Sequence, residues 1–155
     1  MVHLRVKRSV KLPVKKTILK NAAQLTLEAG SAPTSSDLSI VIGDDALLER
    51  LNKQYRHIPT STDVLSFPSN ELDPDSRALY LGDVVISLAR AQEGATRGGH
   101  PLQDELQLLV IHGILHLLGY NHETDRGRMN RLQAKLLRRK SLATSPALMK
   151  RKESQ

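Results

Sequence analysis

Three of the chain's six histidines, His112, His116 and His122, stand in the pattern H-x-x-x-H-x-x-G-x-x-H. Histidines four residues apart in a helix leave the same face, one turn apart. Their ring nitrogens then converge on a single ion at about 2.0–2.1 Å. Gly119 follows, three residues past His116. A glycine there takes a left-handed conformation, stops the helix and lets the chain fold back, which brings His122 to the same ion. Three neutral imidazoles leave a fourth position open to water, the pattern of catalytic rather than structural zinc. Zinc lowers the pKa of that water to about 7, so a hydroxide nucleophile forms at neutral pH. The spacing therefore predicts one zinc ion on His112, His116 and His122, and hydrolytic chemistry. An amphipathic helix with incidental histidines does not account for half of the six falling into this spacing with a glycine at the break.

The pattern is similar to that of the metzincin proteases, with one residue changed. Those enzymes place a Glu directly after the first His as general base, and here Gly113 stands there. A peptide amide needs that base and acid. A phosphodiester needs them less, because a metal both supplies hydroxide and neutralises phosphoryl oxygens. The charge points the same way. The net charge is +7. The first 27 residues carry Arg5, Lys7, Arg8, Lys11, Lys15, Lys16 and Lys20 and no acid. A second basic cluster, Arg138, Arg139, Lys140, Lys150, Arg151 and Lys152, lies near the end. A basic surface favours a polyanion such as nucleic acid. The absence of Cys excludes disulfides, iron–sulfur clusters and thiolate zinc sites.

The elements that must position these histidines can be read from periodicity. His3 to Lys7 alternates like a strand. Pro13 suits the first turn of a helix running to Gly30, with Leu12, Leu19, Ala22, Ala23 and Leu27 on its apolar stripe. Leu38 to Ile42 reads as a second strand. Asp44 or Asp45 caps a helix whose Leu47, Leu48, Leu51 and Tyr55 have helical spacing. Val64 to Phe67 is a short β-like run closed by Pro68, and residues 69–78 are turn-rich. Leu79 to Leu88 holds a long strand, followed by a polar helix to Gly98 and Gly99. Residues 101–118 form the strongest helix, ended by Gly119, and a last helix covers about Asp125 to Arg139. Strands and helices without strict alternation predict an α+β fold, a small mixed sheet packed with helices. Residues 1–141 read as a single metal-hydrolase domain and residues 142–155 as a basic, disordered tail. No apolar run approaches the length of a membrane span. No secretory signal is expected. A cytoplasmic protein is the expectation.

The stretch His112-Gly113-Ile114-Leu115-His116-Leu117-Leu118-Gly119-Tyr120-Asn121-His122-Glu123 resembles the signature of the bacterial YbeY family. Asn52, Tyr55 and Arg56 resemble its N-x-x-Y-R segment. Thr62-Asp63-Val64-Leu65-Ser66-Phe67-Pro68 resembles T-D-V-L-S-F-P, and Leu81-Gly82-Asp83 its L-G-D. The resemblance spans about residues 38–137. It implies a metal-dependent, single-strand-specific endoribonuclease in ribosomal RNA processing, including maturation of the 16S 3′ end, and in ribosome quality control. It also implies zinc on the three histidines and association with small-subunit components, while the metzincin-like turn at the glycine is read from the spacing. Arg56 is implied as a functional residue near the metal, where its guanidinium fork suits phosphate. Asn121 stands where the family usually has Asp, which removes a negative charge near the metal but keeps a hydrogen-bonding group.

Two other functions compete: a metal-dependent peptidase, and a ribosome assembly factor whose zinc is mainly structural. Asp63, Asp83, Glu123 and Asp125 are read chiefly as turn, edge-strand or cap residues, and Tyr120 as a half-buried ring closing the loop. His3, His57 and His100 read as surface or satisfied histidines, and Met129 as core. With one Phe and three Tyr, few stacking platforms for bases are expected.

Overall fold

The computed structural model describes residues 1–121 and 123–139. His122, the expected tail and the domain boundary at 141 lie outside the described residues. Four strands form one sheet: β1 (Val2–Val6), β2 (Ser36–Gly43), β3 (Val64–Leu72) and β4 (Leu79–Ser87). Their order across the sheet is β1-β2-β4-β3. β1, β2 and β4 run parallel, and β3 pairs antiparallel to β4 at the edge. The described helices are α1 (Lys16–Ala29), α2 (Asp45–Arg56), α3 (Leu88–Gly98), α4 (Leu102–Leu117) and α5 (Arg128–Leu137). This is the expected α+β class with a mixed sheet.

Alternation along the strands divides the sheet into two faces. Leu38, Ile40, Ile42, Val84 and Ile86 point into the main core with Leu19, Leu106, Ile111, Leu115, Met129 and Leu136 from α1, α4 and α5. The opposite face carries a smaller cluster, in which Leu47 and Leu48 of α2 cover Leu65 and Val85. α2 thus lies on one face and α4 on the other, with edge strand β3 between them.

Three boundaries differ from expectation. Pro13 is not in the first turn of α1, which begins at Lys16. Val10, Leu12 and Val14 instead pack partly buried against the core, in a stretch where apolar and exposed residues alternate. A period of two suits extended chain and prevails over the Pro signal. β3 does not stop at Pro68 but continues to Leu72. An edge strand tolerates a residue without an N–H, and the register shifts between Pro68 and Glu71. Gly82 lies opposite Pro68 at φ +138°, and a Cβ there would stand 2.1 Å from the Phe67 carbonyl oxygen. Only glycine fits that approach. α5 starts at Arg128 rather than Asp125. The Asp125 carboxylate accepts from the N–H groups of Gly127 (3.1 Å) and Met129 (2.9 Å), so it caps the helix from outside.

Candidate metal centre and its cleft

α4 is the buried axis of the molecule. From Asp104 to Leu117 every residue is buried except His112 and His116. A helix buried all round has no freedom to rotate, because each face is already packed. The two histidines mark its one opening to solvent. Their rings meet edge to face, with centroids 4.7 Å apart, and their Nε2 atoms stand 3.1 Å apart.

The other ring nitrogens are held from behind. His116 Nδ1–H donates to the Tyr120 carbonyl (3.1 Å). That carbonyl is presented by the turn after α4, where Gly119 has φ +94° and Tyr120 N–H donates to Leu115 O (3.0 Å). The glycine therefore ends the helix in the left-handed manner its position predicts. His112 Nδ1–H donates to Gln133 Oε1 of α5 (3.0 Å). Gln133 is buried.

With both Nδ1 atoms donating, each neutral ring presents an Nε2 lone pair to the other. Two lone pairs at this separation are favourable only around positive charge, a proton or a metal ion. Two nitrogens on one tetrahedral zinc stand about 3.3 Å apart, close to the 3.1 Å found. The pair thus fits a zinc ion in donor type, tautomer and spacing. Among the described residues no cluster of three His, Cys, Asp or Glu side chains forms, so the described donors are His112 and His116.

The pair opens into a cleft of about 740 Å³, lined by Tyr55 and Arg56, by residues 62–64 and 66–68, and by Asn121 and Glu123. Arg56 reaches it from the C-terminal end of α2, where His57 takes a left-handed conformation (φ 58°) as the cap. Asp45 fixes the other end of α2. Its carboxylate accepts from Ser61 (2.5 Å), Arg90 Nε (3.0 Å) and Ser87 (3.2 Å), tying α2 to the 57–63 loop and α3. The Arg90 hydrogen bond, then that of Ser61, hold this carboxyl below its ordinary pKa.

The family model described as "Endoribonuclease YbeY" matches residues 4–141. The chain belongs to the YbeY family. The Pelotomaculum thermopropionicum protein named Endoribonuclease YbeY is 44% identical over 130 residues, covering 81% of this chain and 86% of that protein. Its namesake from Nautilia profundicola is 40% identical over 112 residues, covering 72% and 78%. The solution structure of TM1509 from Thermotoga maritima is similar over 88% of this chain and 86% of its own, with 26% identity and a TM-score of 0.57.

In this YbeY-family chain the cleft gathers Arg56, Asp63, His112, His116, Asn121 and Glu123. Other side chains are engaged in the fold, Ser66 at the cleft wall and the rest away from it. Ser66 donates to the Gly113 carbonyl (2.8 Å) and so anchors α4 to β3. Asp83 accepts from the Tyr80 hydroxyl on the sheet. The Tyr120 ring is half-buried with the Arg128 guanidinium 5.7 Å from its centroid, so it is the backbone of Tyr120 that serves the site. His100 is buried against Glu105 (2.5 Å). Met129 is core. None of the basic residues between Arg5 and Lys20 lines the cleft, and Arg5 lies on β1, at the opposite edge of the sheet from β3.

Two residues gain roles that sequence reasoning missed. Gln133 was one more polar residue in the last helix. Its signal was spacing: it shares a stripe with Met129, Leu136 and Leu137, all buried. Gly113 stood out only as a missing Glu. A Cβ there would lie 2.5 Å from Val84 Cγ1 and 3.3 Å from Ser66 Oγ. The position faces the sheet, and its smallness lets α4 seat on β4.

Proposed function

We propose that this chain is a zinc-dependent endoribonuclease that cuts single-stranded RNA, acting on ribosomal RNA in the cytoplasm. Its substrates are expected among small-subunit RNA and its associated components, including the 16S 3′ end, with a part in ribosome quality control. Family membership supports the nuclease class. The observation that carries the metal reading is the facing of two Nε2 atoms at 3.1 Å, with both Nδ1 atoms committed behind them.

His112 and His116 would hold the ion, with His122 as third donor on the strength of its spacing after Gly119, a metzincin-like arrangement. Bound there, zinc supplies Lewis acidity that eases deprotonation of water near neutral pH and offsets phosphoryl charge. Gln133 and the Tyr120 carbonyl hold the two imidazoles in the tautomer that leaves Nε2 as the donor atom, and fix them in direction. Arg56 binds the scissile phosphate and offsets the charge that develops on its oxygens. Asp63 and Glu123 are the carboxylates among the described cleft residues and are within the same space for proton transfer. A peptidase reading is disfavoured, because a Glu after His112 has no room beside Val84.

The test is metal analysis together with cleavage of single-stranded RNA by wild type and His116→Ala. Zinc near one equivalent, chelator-sensitive cleavage and loss of both in the variant are expected. Equal cleavage with chelator, or in His116→Ala, overturns the metal reading. A His116→Ala protein that loses its fold along with its metal supports the structural-zinc alternative instead.

A further inference from the structure

The stripe that seats α2 on the sheet runs off its edge. Leu48 is fully buried and Leu47 8% exposed, yet Tyr55, one turn beyond Leu51 on the same stripe, is 58% exposed. The aromatic ring therefore extends past the packed surface, and it does so into the cleft that holds Arg56, His112 and His116. Phe67 of β3 meets it there, with centroids 5.3 Å apart and planes at 66°. In such an edge-to-face contact one ring supplies its edge. Whichever ring that is, Phe67 leaves at least one face of Tyr55 uncovered. Phe67 itself is fixed by pairing with Asp83 of β4.

The chain has one Phe and three Tyr. Tyr80 is tied through its hydroxyl to Ser39 and Asp83, and the Tyr120 ring lies by Arg128. The remaining two meet on one wall of the cleft, beside its arginine. An exposed, braced aromatic face next to a guanidinium matches the two halves of a nucleotide, a flat base and an anionic phosphate.

We propose that Tyr55, braced by Phe67, is a stacking platform for one unpaired nucleobase of the strand whose phosphate is held by Arg56. This deepens the nuclease reading and rests on it. It also gives a physical reason for single-strand selectivity. A base within a duplex is stacked on both sides and cannot present a face to Tyr55. Stacking of this kind tolerates every base, so the platform selects for unpaired strand rather than for sequence.

The experiment uses the full chain and short single-stranded RNA, with binding followed by fluorescence anisotropy. An abasic nucleotide is placed at each position in turn, and zinc content is measured in parallel. Tyr55→Ala is expected to bind intact strand about 5- to 100-fold more weakly, with unchanged zinc and only the small drop in melting temperature that loss of the Phe67 contact brings. Tyr55→Trp is expected to restore binding. One abasic position should weaken wild type by a similar factor and leave Tyr55→Ala unaffected. The platform is overturned if Tyr55→Ala binds like wild type. It is equally overturned if every abasic position acts alike on both proteins, which would mean that the exposed ring serves another contact, such as a protein partner. A wild type that binds no single-stranded RNA removes the nuclease reading, and the platform with it.

Discussion

The two walls of the cleft are built in opposite ways. The α4 wall is set in the core. Residues on both sides of His112 and His116 are buried, and both rings are held from behind by Gln133 and the Tyr120 carbonyl. The α2 wall is a helix end. Tyr55 and Arg56 are exposed, and below them one aromatic contact and a left-handed cap shape the surface. The proposed zinc would need lone pairs fixed in direction, because a small error in angle loses a ligand. A strand of RNA needs access and some adaptability, because successive nucleotides differ in shape. Burial serves the first demand and exposure the second.

Substitutions on each wall should therefore fail differently. The largest separation is expected at Arg56. Arg56→Ala should lower the rate of RNA cleavage by about 10²- to 10³-fold, the scale of losing one charge-stabilising group, while zinc content stays at the wild-type level. Single-turnover rates with metal analysis would show this, and a parallel loss of zinc would erase the distinction between the walls. Gln133→Leu should do the reverse. Zinc affinity should fall by about 10- to 100-fold, read by competition with a chromogenic chelator. Binding of single-stranded RNA to the α2 wall should change little.

A third substitution tests how firmly the α4 wall is seated. Gly113→Ala places a methyl 2.5 Å from Val84 Cγ1. Val84 is fully buried and β-branched, with little freedom to turn aside. A loss of about 1–3 kcal/mol is expected on denaturant unfolding. An unchanged midpoint would mean that α4 shifts without cost, contrary to a rigid wall.

The smallest effect concerns the anchor of the α2 wall. Asp45 has a folded pKa below its ordinary value, through the Arg90 and Ser61 hydrogen bonds. A depressed carboxyl contributes stability that is fully present above its unfolded pKa and is lost as pH falls through the folded one. Asp45→Asn should therefore lower the melting temperature slightly at neutral pH, and the gap from wild type should close in acid. The gap is small because the carboxylate is 38% exposed and screened by solvent. A gap that widens in acid would reverse the assignment.

Much of the α4 wall was legible in the residues. A four-residue histidine spacing, a following glycine and the apolar run around them are local features, and helical geometry converts them directly into direction. The α2 wall was only half legible. The role of Arg56 came from family resemblance, while Tyr55, in the same N-x-x-Y-R segment, carried no role beyond its place on an apolar stripe. That stripe gives no sign of where the sheet beneath it ends.

By itself the sequence determined what short-range geometry controls: the α+β class, the facing of His112 and His116 on one helix face and the left-handed stop at Gly119. Tertiary structure decided the rest. It brought Gln133 behind His112, 21 residues away, and set Phe67 against Tyr55 across the edge of the sheet. It carried the edge strand past Pro68 to Leu72 and turned Gly113 from an absent base into a packing contact with Val84. Each of these depends on which buried surfaces meet, and that is settled by the packing of the whole core rather than by the spacing of any one segment.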